Sequence, residues 1–125
     1  TRQRILLVDD DEFNRTITLA QLPHPPLELE SAINGHQALE IVRQRRPDII
    51  ILDIEMPVMD GMEALVHIRE FQAAAGQAPS LIVAYSGHDD AQSQARFVAH
   101  GFDKCLRKPA ASKELLALLQ QTSPA

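Results

Sequence analysis

Aspartate recurs in this chain where apolar runs stop. The run Ile5–Val8 leads straight into Asp9, Asp10 and Asp11, and Ile49–Leu52 delivers Asp53 ahead of Pro57 and Gly61. A third apolar stretch, "SLIVAYS", ends in Ser86, and a fourth, "DKCLRKP", reaches Lys108. Three carboxylates gathered within a few ångströms repel one another unless protons or a cation neutralise them. Oxygen donors with no His or Cys among them favour Mg²⁺, which keeps some waters and shares a phosphate oxygen. Beside such an ion, Lys108 would add a point charge and Ser86 a hydrogen bond to an oxyanion. The set suits transfer of a phosphoryl group onto a carboxylate, with Asp53 as nucleophile. Each residue alone has a plainer use. An acidic turn suits the start of a helix, a single aspartate caps a strand, and a lone lysine or serine sits on a surface or turn.

The elements that would position these groups alternate along the chain. Ile5–Val8 and Ile49–Leu52 are too short for helices and suit strands buried on both faces. Leu27–Glu30 alternates apolar with charged, as a strand with one wet face would. Residues 80–86 give a fourth strand and "DKCLRKP" a short fifth. Helical spacing runs from Glu12 to Leu22 through Phe13, Ile17 and Ala20, and "PHPP" stops it. Asn34 can cap a helix carrying Ala38, Leu39 and Val42, with Pro47 as its terminator. Further helices are expected over residues 62–75, around Ala91, Ala95 and Val98 up to Gly101, and after Ser112 through Leu115, Leu116, Leu118 and Leu119. Five strands alternating with five helices predict a doubly wound α/β fold, a parallel sheet with helices on both faces. With the wet second strand at an edge, the order is 2-1-3-4-5, the flavodoxin-like arrangement. Its ligand site lies at the carboxyl ends of the strands, so one rim would gather Asp9, Asp10, Asp53, Ser86 and Lys108.

Composition narrows the function classes. A chain of 125 residues with 45% hydrophobic residues suits one globular domain, taken as residues 1–125. A net charge of -5 argues against nucleic-acid binding. No run is long enough to insert in a membrane. The single cysteine, Cys105, forms no internal disulfide, which points to a reducing, cytoplasmic setting. His24, His36, His67, His88 and His100 lack the spacing of metal ligands, and His88, two residues after Ser86, reads as a loop histidine. Arg43, Arg45 and Arg46 read as a wet helix end.

"ILLVDDDEFNR", "INGHQALE", "DIIILDIEMPVMDG", "YSG" and "KCLRKP" together resemble the receiver domain of two-component response regulators, with every motif in family order. "NR", "NG" and "MPVMDG" are most similar to receivers of hybrid sensor histidine kinases. The resemblance implies Asp53 as phosphoacceptor, Asp10 as a direct Mg²⁺ ligand, Asp9 as a ligand largely through water, and the backbone carbonyl of Glu55 as another. It implies Ser86 and Lys108 on the phosphoryl oxygens, a cis bond between Lys108 and Pro109, and a Glu55 side chain that tunes aspartyl-phosphate lifetime. The implied partners are a histidine kinase or histidine phosphotransfer protein, recognised around Asn14, Arg15 and Ile17, and a downstream effector. The only catalysis implied is the domain's own phosphorylation and dephosphorylation.

Three departures bear on output. Cys105 stands where the family usually carries an aromatic ring that swings inward on activation, and a thiol buries far less area than a ring. Ser86 replaces the more frequent threonine, and Ala110 a larger apolar residue. These leave the chemistry intact and weaken the Ser86–Cys105 switch, which favours a relay receiver, one module of a longer hybrid kinase. The alternatives are a phosphate-independent binding module, for which only Cys105 speaks, and a Mg²⁺-dependent phosphohydrolase, for which the short connections leave no substrate cap.

Overall fold

The structure, a computed structural model, describes residues 4–22, 28–54, 56, 59–87, 91–107, 113–115 and 117. Five strands, β1 (Arg4–Val8), β2 (Glu28–Ala32), β3 (Ile49–Asp53), β4 (Leu81–Ser86) and β5 (Lys104–Arg107), form one sheet in the order β2-β1-β3-β4-β5. Every neighbouring pair is parallel. Between them run α1 (Glu12–Gln21), α2 (Gly35–Gln44), α3 (Gly61–Ala75) and α4 (Ala91–His100). Residues 113–115 and 117 are helical where the fifth helix is expected. The doubly wound arrangement and its strand order are as the sequence predicts. The second strand is indeed an edge, but it runs to Ala32 rather than stopping at Glu30. The third includes Asp53 itself.

The pleat sorts the apolar strand residues into two layers, because successive side chains point to opposite faces. Leu6, Val8, Ile50, Leu52, Ile82 and Ala84 pack with Ala38 and Val42 of α2, Leu65 and Ile68 of α3, and Phe97 of α4. Ile5, Leu7, Ile49, Ile51, Val83 and Tyr85 pack on the other side with Leu22, Leu115 and the half-buried Leu19 of α1. All five residues of β3 are buried, which is why its sequence reads as an unbroken apolar run.

Helix ends follow local chemistry. Asn34 caps α2 by accepting from the Gln37 amide at 2.8 Å, while the Gln37 side chain accepts from the Ile33 amide at 3.0 Å. Gly76 and Gly101 close α3 and α4 at positive φ, 69° and 117°. The faces of two helices differ from the apolar pattern that reveals them. On α1, Phe13 is 72% exposed and Ile17 40%, and the buried residue is Thr18. On α4, Ala91, Ala95 and Val98 are exposed, and Phe97 alone is buried, edge-on to the Phe102 ring.

At the edge where the strands begin, polar side chains tie neighbours together. Arg4 pairs with Glu28 at 2.8 Å and its amide donates to Asp48 at 2.8 Å. Arg46 bonds Asp48 and the carbonyls of Ala78 and Pro79. Arg69 bonds the Ser80 carbonyl and Asp103, and Asp103 accepts the Ile82 amide. Beneath them Gln72 and Ser80, both buried, bond each other, and the Ser80 hydroxyl donates to the Pro47 carbonyl at 2.6 Å. A buried amide and hydroxyl so completely paired escape the cost of unmet polar groups. Among the described residues no helix is long and apolar enough to cross a membrane.

Candidate functional site

At the opposite edge the strands end in polar groups. Asp9 follows β1 directly, Asp53 closes β3 and Ser86 closes β4. β1 lies between β2 and β3, so the crossover direction reverses beside it, and the crevice outside the carboxyl ends opens at this point. Asp9, Asp10 and Asp53 each bring a carboxylate oxygen within 4.8 Å of the others. Asp9 and Asp53 are buried and Asp10 faces solvent. Ser86 is also buried, one residue past the Asp53–Tyr85 register pair. Adjacent strands thus bring four of the sequence-derived residues to one rim, three of them as a cluster.

The acidic triplet divides its labour. The Asp9 amide donates to the Ala32 carbonyl at 3.1 Å, continuing the β1–β2 ladder one step. One Asp9 carboxylate oxygen accepts the Asp11 amide at 2.9 Å. Asp11 turns away from the cluster and caps α1, accepting from the Asn14 amide at 3.1 Å. Its neighbours therefore stay on the rim while the chain enters a helix. Beyond Asp53, the Ile54 amide donates to the Tyr85 carbonyl at 3.2 Å, and the Gly61 amide to the Ile54 carbonyl at 3.1 Å. The start of α3 is thereby laid against the backbone that carries Asp53.

Glu55, Pro57, His88, Lys108 and the Lys108–Pro109 bond lie outside the described residues, as do Ala110 and Ser112. Cys105 lies on β5 and is half-buried, less enclosed than a core position. Its thiol points at the Gln94 carbonyl of α4, 4.0 Å away. Burial pushes the Cys105 thiol above its ordinary 9.0. A raised value leaves less thiolate at neutral pH, so the thiol is a poor nucleophile. Iodoacetamide should label Cys105 several-fold more slowly in the native chain than in the urea-unfolded chain near neutral pH. Equal rates would remove burial as the controlling factor.

Two residues of the quoted motifs, Arg15 of "NR" and Tyr85 of "YSG", make contacts that the motifs do not state. Arg15 reaches back from α1 to donate to the Asp9 carbonyl at 2.8 Å. Tyr85, beside Ser86, is buried with its hydroxyl 3.5 Å from that of Thr18 on α1. A bulky residue just before Ser86 was the available signal for the latter. The donor set fits a small hard cation: three carboxylates, two of them shielded from water, with no nitrogen or sulfur donor in the group. Such a cation would also relieve their mutual repulsion.

Residues 5–120 match the family profile of the response regulator receiver domain. Response regulator MprA of Mycobacterium sp. (strain KMS) is 34% identical over 125 residues, an alignment that covers 97% of this chain and 52% of that protein. The chain thus spans about half the length of the curated relatives it matches. Among solved structures, the chemotaxis protein CheY4 of Vibrio cholerae superposes with a TM-score of 0.83 at 30% identity, covering 98% of this chain and 99% of that one. The Saccharomyces cerevisiae Ssk1 receiver domain, crystallised with the histidine phosphotransfer protein Ypd1, gives 0.83 at 27% identity, covering 98% and 87%.

Proposed function

The chain belongs to the response regulator receiver domain family, the signalling domain of two-component and phosphorelay systems, and on that premise we propose that Asp53 accepts a phosphoryl group from a phosphohistidine donor. The observation that carries this reading is the meeting of Asp9, Asp10 and Asp53 within 4.8 Å at the carboxyl rim, with Ser86 on the adjoining strand. A carboxylate oxygen of Asp53 forms the new bond to phosphorus as the bond to the imidazole nitrogen breaks, and the imidazole departs with the bonding pair. Asp9, Asp10 and Asp53 would hold Mg²⁺, with the Glu55 carbonyl as a further donor. When bound, the ion neutralises charge on the phosphoryl oxygens. Ser86 donates a hydrogen bond to one of those oxygens and Lys108 supplies positive charge to another. Hydrolysis by water returns Asp53 to its starting state, which makes the domain the catalyst of its own phosphorylation cycle only.

The whole chain acts as one receiver module in the cytoplasm. Its donor is a histidine kinase or a histidine phosphotransfer protein. Phe13 and Ile17, one helical turn apart and exposed on α1, offer such a partner an apolar contact within reach of the rim. The test is intact-protein mass after incubation with acetyl phosphate. A gain of about 80 Da, one phosphoryl group, is expected with Mg²⁺ and no gain with a chelator. No gain under either condition would overturn the reading in favour of a phosphate-independent binding module.

A further inference from the structure

We propose that Arg15 is a positioning residue for the acidic rim, setting the main chain at Asp9 so that Asp9 and Asp10 face Asp53. This rests on the reading of those carboxylates as a cation site. Val8 is the last residue of β1 in register with both neighbours, opposite Ala32 and Leu52. The chain is still held one step further on, through the Asp9 amide and the Ala32 carbonyl. The Asp9 carbonyl lies past the last registered pair with β3. There the Arg15 guanidinium donates to it at 2.8 Å.

Asp9 is thus held through both of its flanking peptides. β2 holds the amide of Asp9, α1 holds its carbonyl, and the Asp11 amide holds one carboxylate oxygen. Asp10 faces solvent, and the plane of the Asp9–Asp10 peptide that aims it is held through the Asp9 carbonyl by Arg15. The bond is charge-assisted, with one guanidinium nitrogen, Nη1, donating to the carbonyl oxygen. Arg15 also sits on α1 three residues before Thr18, whose hydroxyl meets Tyr85 on β4. One face of α1 therefore touches the ends of two site strands.

The sign of one measurement separates positioning from simple charge. A guanidinium near a cation site repels the cation, so charge loss alone would tighten Mg²⁺ binding. Loss of positioning would weaken it. Arg15→Met keeps the apolar stem and removes both charge and donors. By calorimetric titration with MgCl₂, its dissociation constant should rise about tenfold, equivalent to about 1.4 kcal/mol. Arg15→Lys, with the charge and one donor in reach, should fall between it and the wild type. Phosphorylation by acetyl phosphate at saturating Mg²⁺ should stay within about twofold of the wild type, because the chemistry is untouched once the ion is bound.

Unchanged or tighter Mg²⁺ binding in Arg15→Met would overturn the proposal, as would a fall in saturated rate at constant affinity. Should the Met variant not fold, Arg15→Lys decides: wild-type affinity there would overturn it equally. A wild type that binds Mg²⁺ without taking up phosphate would sink the phosphoacceptor function and leave this comparison intact. A wild type that binds no Mg²⁺ would sink both.

Discussion

Asp53→Asn is expected to take up no phosphoryl group and yet to melt at a higher temperature than the wild type when divalent cations are chelated. The first half follows from the loss of the nucleophilic oxygen, since an amide does not displace a phosphoryl group from nitrogen. The second follows from charge. Asp53 is 1% exposed, and Asp9 and Asp10 each bring a carboxylate oxygen within 4.8 Å of its own. Two unit charges at that separation repel by about 1 kcal/mol in water and about 3 kcal/mol at the effective dielectric of a protein surface. Asp10 faces solvent and its share is screened. Asparagine keeps the shape and removes the charge, with weaker hydrogen bonds as the offset. A net gain of about 1–2 kcal/mol, several degrees in melting temperature, is the expected outcome. Millimolar Mg²⁺ should reverse the order, because an ion that binds only the folded wild type stabilises only the wild type. Melting curves in chelator and in Mg²⁺ check both halves; a variant less stable than the wild type in both would contradict the charge argument.

The other large effect belongs to a residue with no side chain. A methyl group built on Gly61 would sit 2.5 Å from the Asp53 carbonyl oxygen, 2.8 Å from Cα of Ile54 and 3.1 Å from the Asp53 carbonyl carbon. All three are backbone atoms, so no rotamer change can make room. Gly61→Ala must either lift the start of α3, breaking the bond from its amide to the Ile54 carbonyl, or push the backbone of Asp53. Overpacking of this kind typically costs about 1–3 kcal/mol. A displaced nucleophile should also lose about ten- to a hundredfold in phosphorylation rate, since misplacement near 1 Å costs about that much. Gly87 supplies the control for stability: a methyl there meets nothing within 4 Å. Denaturant unfolding should show Gly87→Ala near the wild type and Gly61→Ala well below it, and equal stabilities would refute the steric account.

The same two residues show what was legible in the sequence. Asp53 stood out because a strand buried on both faces leaves no polar residue unexplained, and Ile49–Leu52 is such a strand. The meeting of Asp9, Asp10 and Asp53 followed from strand order and the shared direction of parallel strands. Gly61 could be placed in the loop after the aspartate, but the closeness of its backbone to Asp53 depends on how α3 docks. The spacing of Phe13 and Ile17 identified a helix correctly and said nothing of which face is covered; the buried side chain there is Thr18. Period alone cannot tell an apolar stripe turned inward from one left for a partner. The contacts of Arg15 and Tyr85 escaped for a related reason: each acts across elements, through a carbonyl and a hydroxyl that no spacing rule encodes. The pairing of Gln72 with Ser80 joins a helix to a connection that folds back beneath it, and nothing local marks it.

The ties at the other edge of the sheet have a mechanical consequence. Arg4 is tied to Glu28 and Asp48, Asp48 accepts from Arg46 and through its carbonyl receives the Leu81 amide, and Asp103 grips Ile82 and Arg69. Every strand is therefore clamped to a neighbour where it enters the sheet. The rim that carries Asp9, Asp53 and Ser86 is joined instead by main-chain bonds, from the Asp9 amide to the Ala32 carbonyl and from the Ile54 amide to the Tyr85 carbonyl. Side-chain ties thus set the strand register from the edge remote from the site, so a substitution among the rim carboxylates leaves those ties in place.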